Sequence, residues 1–340
     1  MSRYTVAVTD TRFEDLSIER EGLADLAEVV VLSEDREEAL AELADADAVI
    51  NLVREVDGEM VAALPADCRI IARYGIGVDN IDAGAAAERG IPVVNDPDYC
   101  VEEVATHAMA MILSLARRLK PYDAAMADGE WKTDRADPIE HRFSSQTVGV
   151  VGYGAIGSLV GTHAAALGAD VLAFDPYLDP EDVGEAATLV DLPELYERAD
   201  YVTVHTPLTG ETRGIVDADA FGSMKDTAFL INVARGPIVD ESALIEALRD
   251  QEIAGAGLDV FEDEPLATDS PLRGHPDVVA TPHDAWYSEE ANTERRHNIT
   301  RAVRLALEGE RPPNVVNGVD VGGGEGGADE DGSEDGEVAE

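Results

Sequence analysis

Three glycines stand in the order Gly152-x-Gly154-x-x-Gly157, behind a run of β-formers at Thr147, Val148, Val150 and Val151. A helical pattern follows, and then a second apolar run that ends on Asp175. This arrangement can hold a pyrophosphate. Gly152 allows the tight turn out of the strand, Gly154 lets the backbone approach the phosphates, and Gly157 lets the helix pack on the sheet. The helix N-terminus presents unpaired N–H groups and the positive end of its dipole to the anion. Asp175 lies near the spacing expected of an acid that accepts the adenosine ribose hydroxyls. Strand, glycines, helix, strand and acid in this order predict a dinucleotide site. An acid at this position would repel a 2′-phosphate, which favours NAD over NADP.

Three further groups carry residues able to do chemistry. The first is Asn232-Val233-Ala234-Arg235-Gly236, at the end of an apolar strand. The second is Gly257-Leu258-Asp259-Val260-Phe261, which runs into Glu262-Asp263-Glu264-Pro265. The third is Thr281-Pro282-His283-Asp284-Ala285-Trp286. Taken singly, an arginine after a strand is usually a surface ion pair, a Glu-Pro a loop, and a lone histidine structural. Together they fall at expected C-terminal strand ends, where ligands bind in an open α/β sheet.

The elements that must position these groups are legible as alternating strands and helices. In the first hundred residues, Thr5–Thr9, Val29–Leu32, Ala48–Val53, Ile70–Tyr74 and Pro92–Asn95 read as short buried strands. Leu16–Leu26, Arg36–Ala44, Glu59–Leu64 and Ala83–Arg89 read as helices, giving an α/β domain with a parallel sheet. Val101–Leu119 reads as one long helix that leads to a second domain, and Pro121–Gln146 as a polar, irregular arm containing Trp131. From Thr147 the rhythm resumes, with strands at Tyr201–Thr206, Ala228–Val233, Gly255–Val260 and Val278–Thr281 and a helix at Glu241–Arg249. Glu289–Glu308 reads as a closing helix that returns to the first domain, followed by ordered coil over Arg311–Val319. The expected division is residues 1–100 plus 290–319 for one domain and 101–289 for the dinucleotide domain, with 320–340 a disordered tail of glycine and acids.

Composition bounds the function. The chain has 340 residues, enough for two cores, and 71 acidic against 25 basic side chains, a net charge of −46. The acids are spread along the chain, and lysine is scarce. Such self-repulsion is tolerable where salt screens it within a few ångströms, so the chain reads as a cytoplasmic protein of an extreme halophile. The charge argues against nucleic-acid and anionic-membrane partners. Cys68 and Cys100 form neither a CxxC nor a metal-ligand spacing, so reduced thiols and no metal are expected. No leader or transmembrane run is visible.

Over nearly the whole length before the acidic tail, these motifs resemble the D-isomer-specific 2-hydroxyacid dehydrogenases. The likeness includes Gly152–Gly157 with Asp175, Ala199–Pro207, Met224–Asp240, Ala256–Pro265 and Thr281–Trp286. Upstream, Arg73-Tyr74-Gly75-Ile76-Gly77-Val78-Asp79-Asn80-Ile81-Asp82 and Val101-Glu102-Glu103 fit as well. The Ala285–Ser288 run and the Arg-x-Gly-x-Gly loop are similar to the C-terminal-binding-protein branch in particular.

The resemblance implies two doubly wound parallel-sheet α/β domains, Rossmann or flavodoxin-like, with an interdomain cleft whose closing assembles the site. It implies a catalytic set of Arg235, Glu264 and His283. In reduction of a 2-oxo acid, His283 would supply a proton to the carbonyl oxygen. Glu264 would orient the ring and favour its imidazolium, and Arg235 would bind the carboxylate and polarise the oxo group. The same likeness places Ala155 and Ile156 under the pyrophosphate and Asp259 on the nicotinamide carboxamide. Thr206, Pro207, Val233 and Ala234 would flank the cofactor. It places the Gly77 and Val78 N–H groups on the substrate carboxylate, and Arg73 and Trp286 on the substrate side. His107 reads as packing near the cleft, and His205 as structural. A homodimer is implied, with the Pro121–Gln146 arm as a contact. A second expectation comes from the branch likeness: an NAD(H)-sensing, corepressor-like scaffold with weak dehydrogenase activity.

Overall fold

The computed structural model describes residues 4–10, 13, 15–131 and 141–321. The expected tail from Gly322 onward and residues 132–140 of the expected arm lie outside the described residues. The chain divides into two compact units. One runs to Pro97 and resumes at Thr293; the other spans Asp98–Asn292.

In the first unit the elements are β1 (Tyr4–Val8), α1 (Ser17–Gly22), β2 (Ala27–Val31), α2 (Arg36–Leu43), β3 (Ala48–Asn51), α3 (Gly58–Ala63), β4 (Ile71–Arg73), α4 (Ala83–Glu88) and β5 (Val93–Val94). The strands form a parallel sheet in the order β2-β1-β3-β4-β5. Aspartates open three of the helices: the Asp35, Asp57 and Asp82 side chains accept backbone N–H groups of the first turns. The sheet is apolar on both faces, as parallel sheets covered by helices must be. Val6, Val8, Ile50 and Ala72 pack on one side; Ala7, Val49 and Ile71 pack on the other.

The second unit begins with α5 (Val101–Ala116) and α6 (Leu119–Ala127). It continues through β6 (Thr147–Val151), α7 (Ala155–Ala166), β7 (Asp170–Phe174), β8 (Thr188–Leu189), α8 (Leu192–Arg198), β9 (Tyr201–Val204), α9 (Ala218–Ser223), β10 (Phe229–Asn232), α10 (Glu241–Asp250), β11 (Gly255–Leu258) and β12 (Val278–Ala280). Its seven strands are parallel in the order β12-β11-β10-β9-β6-β7-β8. The winding direction reverses between β6 and β9, which makes the carboxyl ends of those two strands the switch point. The last helix, α11 (Glu289–Glu308), spans the range read from its pattern and packs Ile299, Ala302, Val303, Ala306 and Leu307 into the core of the first unit.

Three expectations are corrected. The long helix ends at Ala116 instead of Leu119, because Arg118 adopts a left-handed backbone with φ 52°. A new helix, α6, then begins at Leu119, inside what reads as an irregular arm. Pro121 sits in its first turn, where the missing N–H has no intrahelical partner to lose. The first helix is also shorter than expected, ending at Gly22 instead of Leu26, because β2 already starts at Ala27.

Candidate active site

The backbone is tightly packed at Gly152 and Gly157 and open at Gly154. Gly152 has φ +87°, and a Cβ there would approach the Thr206 nitrogen, at the end of β9, to 2.8 Å. Close passage of the two strand ends at the switch point therefore excludes a side chain. A Cβ at Gly157 would lie 2.1 Å from the Gly152 carbonyl oxygen, so α7 packs on the turn only through a bare Cα. Beside Gly154 the space is open: no described atom lies within 4 Å of the Cβ position. Gly154 caps α7 without any side-chain hydrogen bond, which leaves the first-turn N–H groups, Ala155 and Ile156 among them, facing that space.

Asp175 follows β7 directly. Its Oδ2 accepts the Tyr153 N–H at 3.0 Å and its Oδ1 the Tyr177 N–H at 3.0 Å. The acid thus ties the glycine turn to the neighbouring strand while its side chain stays partly open to solvent. An open cradle at an uncapped helix end, with a carboxylate at the next strand end, fits a dinucleotide.

Behind the turn, His205 bonds the Thr203 hydroxyl through Nε2 at 2.8 Å, and its backbone N–H donates to Val151 O at 2.8 Å. Desolvation pushes its imidazole down to about 3. His205 therefore serves as a neutral packing group under Thr206 and Pro207. Pro207 lies at the surface, and its carbonyl accepts the Thr212 hydroxyl at 2.6 Å.

The strands β10, β11 and β12 run in register, with Asn232 beside Leu258 and Leu258 beside Ala280. Arg235, Asp259 and His283 therefore follow the carboxyl ends of three adjacent strands. At β10 the Asn232 side chain brackets the turn that carries Arg235. Its Nδ2 donates to Arg235 O at 2.9 Å, and its Oδ1 accepts the Ala234 N–H at 3.1 Å. Val233 is buried beneath this turn; Ala234 and Arg235 are half-buried. The one local signal for this role is an asparagine that ends an apolar strand, which favours an Asx turn.

At β11, Asp259 is 1% exposed. Its Oδ1 accepts the Thr281 hydroxyl at 2.5 Å and the Asp284 N–H at 2.9 Å, and its Oδ2 accepts the Ala285 N–H at 2.9 Å. Its carbonyl oxygen accepts the His283 N–H at 2.7 Å. These bonds hold His283 in the left-handed region at φ 57°, a conformation costly for a residue with a Cβ. Asp259 is thus a clamp on the histidine loop, a role that spacing alone does not reveal.

His283 Nδ1 lies 2.6 Å from Glu264 Oε2, and Glu264 Oε1 accepts the Phe261 N–H at 3.1 Å. A carboxylate accepts, so Nδ1 carries a hydrogen and Nε2 is the ring nitrogen left to exchange a proton. Both side chains are partly open, 41% for His283 and 35% for Glu264. Trp286 follows on the same loop, half-buried, with its ring 6.4 Å from that of Tyr99 and 5.3 Å from that of Tyr287.

Arg73, Gly77 and Val78 belong to the first unit. Arg73 ends β4, where its Nε donates to Asn80 Oδ1 at 3.0 Å and its Nη1 to Tyr74 O at 2.6 Å. Gly77 and Val78 are half-buried on the loop that follows. Nearby Arg54 donates to the carbonyl oxygens of Thr9, Ser33 and Glu34. Its guanidinium is thereby bound to strand ends of its own unit.

The chain is similar to known proteins of one family. Residues 109–285 match the model of the D-isomer specific 2-hydroxyacid dehydrogenase NAD binding domain. The chain is 41% identical over 292 residues to D-3-phosphoglycerate dehydrogenase of Mycobacterium bovis, covering 85% of this chain and 54% of that one. It therefore spans about half the length of such relatives. It is 37% identical to glyoxylate reductase of Korarchaeum cryptofilum, covering 80% of this chain and 83% of the relative. Among solved structures, D-lactate dehydrogenase from Aquifex aeolicus, complexed with NAD and lactic acid, superposes with a TM-score of 0.83 at 31% identity, covering 90% of this chain and 96% of that one. With an NAD-binding glycine turn, two parallel α/β sheets and these relatives, the chain belongs to the D-isomer-specific 2-hydroxyacid dehydrogenase family.

Proposed function

We propose that this protein interconverts a 2-oxo acid and a D-2-hydroxy acid, with His283 and Glu264 as the acid–base pair and Arg235 as the substrate-carboxylate ligand. The observation that carries the proposal is the 2.6 Å His283–Glu264 bond at the carboxyl end of the sheet, where Arg235 also lies. NAD, when bound, supplies or takes the hydride. Glu264 fixes the ring, so Nε2 can give a proton to the oxo oxygen as the hydride arrives. In the reverse direction Nε2 takes the hydroxyl proton. The Arg235 guanidinium pairs with the carboxylate and polarises the oxo group. The first-turn N–H groups of α7 hold the pyrophosphate.

Arg73 and the Gly77 and Val78 N–H groups are proposed as further ligands of the substrate carboxylate. Asp259, Thr206, Pro207, Val233 and Ala234 are proposed to flank the cofactor, and Asp175 to hold its ribose and favour NAD. Trp286, in the Ala285–Ser288 run that resembles the C-terminal-binding-protein branch, is proposed as an apolar wall for the substrate side chain.

A homodimer is supported by a stripe on α6: Leu119, Tyr122 and Met126 share one helix face and are 56%, 37% and 54% exposed, and nearby Trp131 is 80% exposed. The net charge of −46 supports work at high salt, and buried thiols at Cys68 and Cys100 support a reducing cytoplasm. The relatives named above are dehydrogenases and reductases, which does not favour the scaffold reading.

The test is NADH oxidation in multi-molar KCl against a panel running from glyoxylate and hydroxypyruvate to phosphohydroxypyruvate and 4-methylthio-2-oxobutyrate. Turnover of a panel member is expected and identifies the side-chain class. Tight NADH binding without turnover of any member would favour the scaffold instead.

A further inference from the structure

The loop that carries His283 and Trp286 is held at both ends by α5. At its start, His107 Nε2 lies 3.0 Å from Thr281 Oγ1. Thr281 has one hydroxyl proton, which points to Asp259 Oδ1 at 2.5 Å, and a carboxylate there can only accept. His107 must therefore donate from Nε2, and the bonds run in one sense from His107 through Thr281 to Asp259. At the far end of the loop, Ser288 Oγ donates to Glu103 Oε1 at 2.6 Å. Glu103, His107 and Met111 recur at one helical turn each and share a face of α5. That face is pressed onto β11: a Cβ at Gly257 would lie 3.0 Å from Met111 Cβ. The helix is thus seated on the sheet by Met111, and its two polar side chains reach the two ends of the loop.

We propose that His107 and Glu103 are positioning residues that set the reach of His283, by fixing Thr281 and Ser288 at the two ends of its loop. The inference rests on His283 being the acid–base residue. Neither side chain needs to touch substrate. Their effect is on the register of a loop whose histidine sits in a strained backbone conformation, where a displacement of a fraction of an ångström lowers the rate of proton transfer.

The test uses the full chain at high salt in two assays. The first measures kcat for NADH-driven reduction and the NADH dissociation constant for His107→Phe, Thr281→Val and Glu103→Leu, with Thr281→Ser and Glu103→Gln as variants that keep the bonds. Each of the first three is expected to lower kcat by about tenfold, with NADH affinity within about twofold of wild type. Thr281→Ser and Glu103→Gln are expected to regain most of the rate. The His107→Phe, Thr281→Val double variant is expected to be no worse than either single one, since both break one chain.

The second assay needs no turnover. In a Trp131→Tyr background, Trp286 is the one remaining tryptophan, and its quenching by acrylamide reports on the loop. His107→Phe and Glu103→Leu are expected to raise it by about twofold. Unchanged quenching with unchanged kcat overturns the proposal. So does a loss of kcat that follows a loss of NADH binding. If quenching rises but His283→Ala retains full turnover, the loop clamp stands and the acid–base reading falls.

Discussion

The backbone N–H of His283 donates to the carbonyl oxygen of Asp259 across 2.7 Å, while the Asp259 carboxylate takes the N–H groups of the next two residues, Asp284 and Ala285. One buried aspartate therefore sets both the left-handed turn at His283 and the chain direction after it. Asp259→Asn replaces one acceptor oxygen with an NH2 group that faces donors. Leaving buried N–H or O–H groups unpaired costs about 1–3 kcal/mol each. The expected result is a kcat lowered by at least about tenfold, together with a lower thermal midpoint in the same buffer. A variant with wild-type kcat would show that the clamp does not govern the histidine.

The glycine turn makes a separate prediction. Since a Cβ at Gly157 would sit 2.1 Å from Gly152 O, Gly157→Ala must push α7 off the turn. The phosphate-facing N–H groups move with the helix. NADH affinity, read by fluorescence titration, should fall by about tenfold or more. Equal affinity would mean that the helix N-terminus does not hold the pyrophosphate.

Much of this was legible in the sequence, for a definite reason. Parallel strands buried on both faces read as unbroken apolar runs, so Ala48–Asn51 and Gly255–Leu258 stand out, as do the turn residues after them. The caps Asp35, Asp57, Asp82, Asp191, Asp217 and Asp240 mark where helices begin. The helix break at Arg118 and the turn at His283 were not legible, because a non-glycine residue at positive φ carries no sequence flag. The start of α6 was hidden by Pro121, which usually marks a boundary. The His107–Thr281–Asp259 chain joins residues far apart in sequence, and nothing local in any one of them points to the others.

In the first unit, α1 meets α11 at a buried ion pair. Glu19 is fully buried and accepts the Tyr74 hydroxyl at 2.7 Å and two bonds from Arg296, at 2.8 and 2.7 Å. The two helices also approach closely, since a Cβ at Gly22 would lie 2.5 Å from Thr300 Cγ2. Glu19→Gln leaves the buried Arg296 with only the exposed Asp15 carboxylate, 3.8 Å away, as counter-charge. A loss of about 3–5 kcal/mol is expected in urea unfolding at constant salt. A loss below about 1 kcal/mol would show that the pair does not hold the closing helix.

His205 gives a pH dependence whose sign is fixed. Burial lowers its pKa from 6.5 to about 3 in the folded chain. Between those values the unfolded chain binds the proton and the folded chain does not, so its contribution is fully present above about pH 6.5 and is lost as pH falls toward 3. His205→Gln should remove this part of the acid sensitivity. The drop in unfolding free energy between neutral pH and pH ~5 should be smaller than in wild type by on the order of 1 kcal/mol. An identical drop in both proteins would show that His205 already carries its proton when folded.

The central claim is that His283, oriented by Glu264, moves the proton while the dinucleotide site moves the hydride. The most direct measurement is single-turnover oxidation of bound NADH by the best 2-oxo acid of the panel, comparing wild type with His283→Ala. The account predicts NADH affinity within about twofold of wild type and a transfer rate lower by roughly 10²–10⁴. A variant that oxidises NADH at the wild-type rate, or one that fails only because it no longer binds NADH, would contradict it.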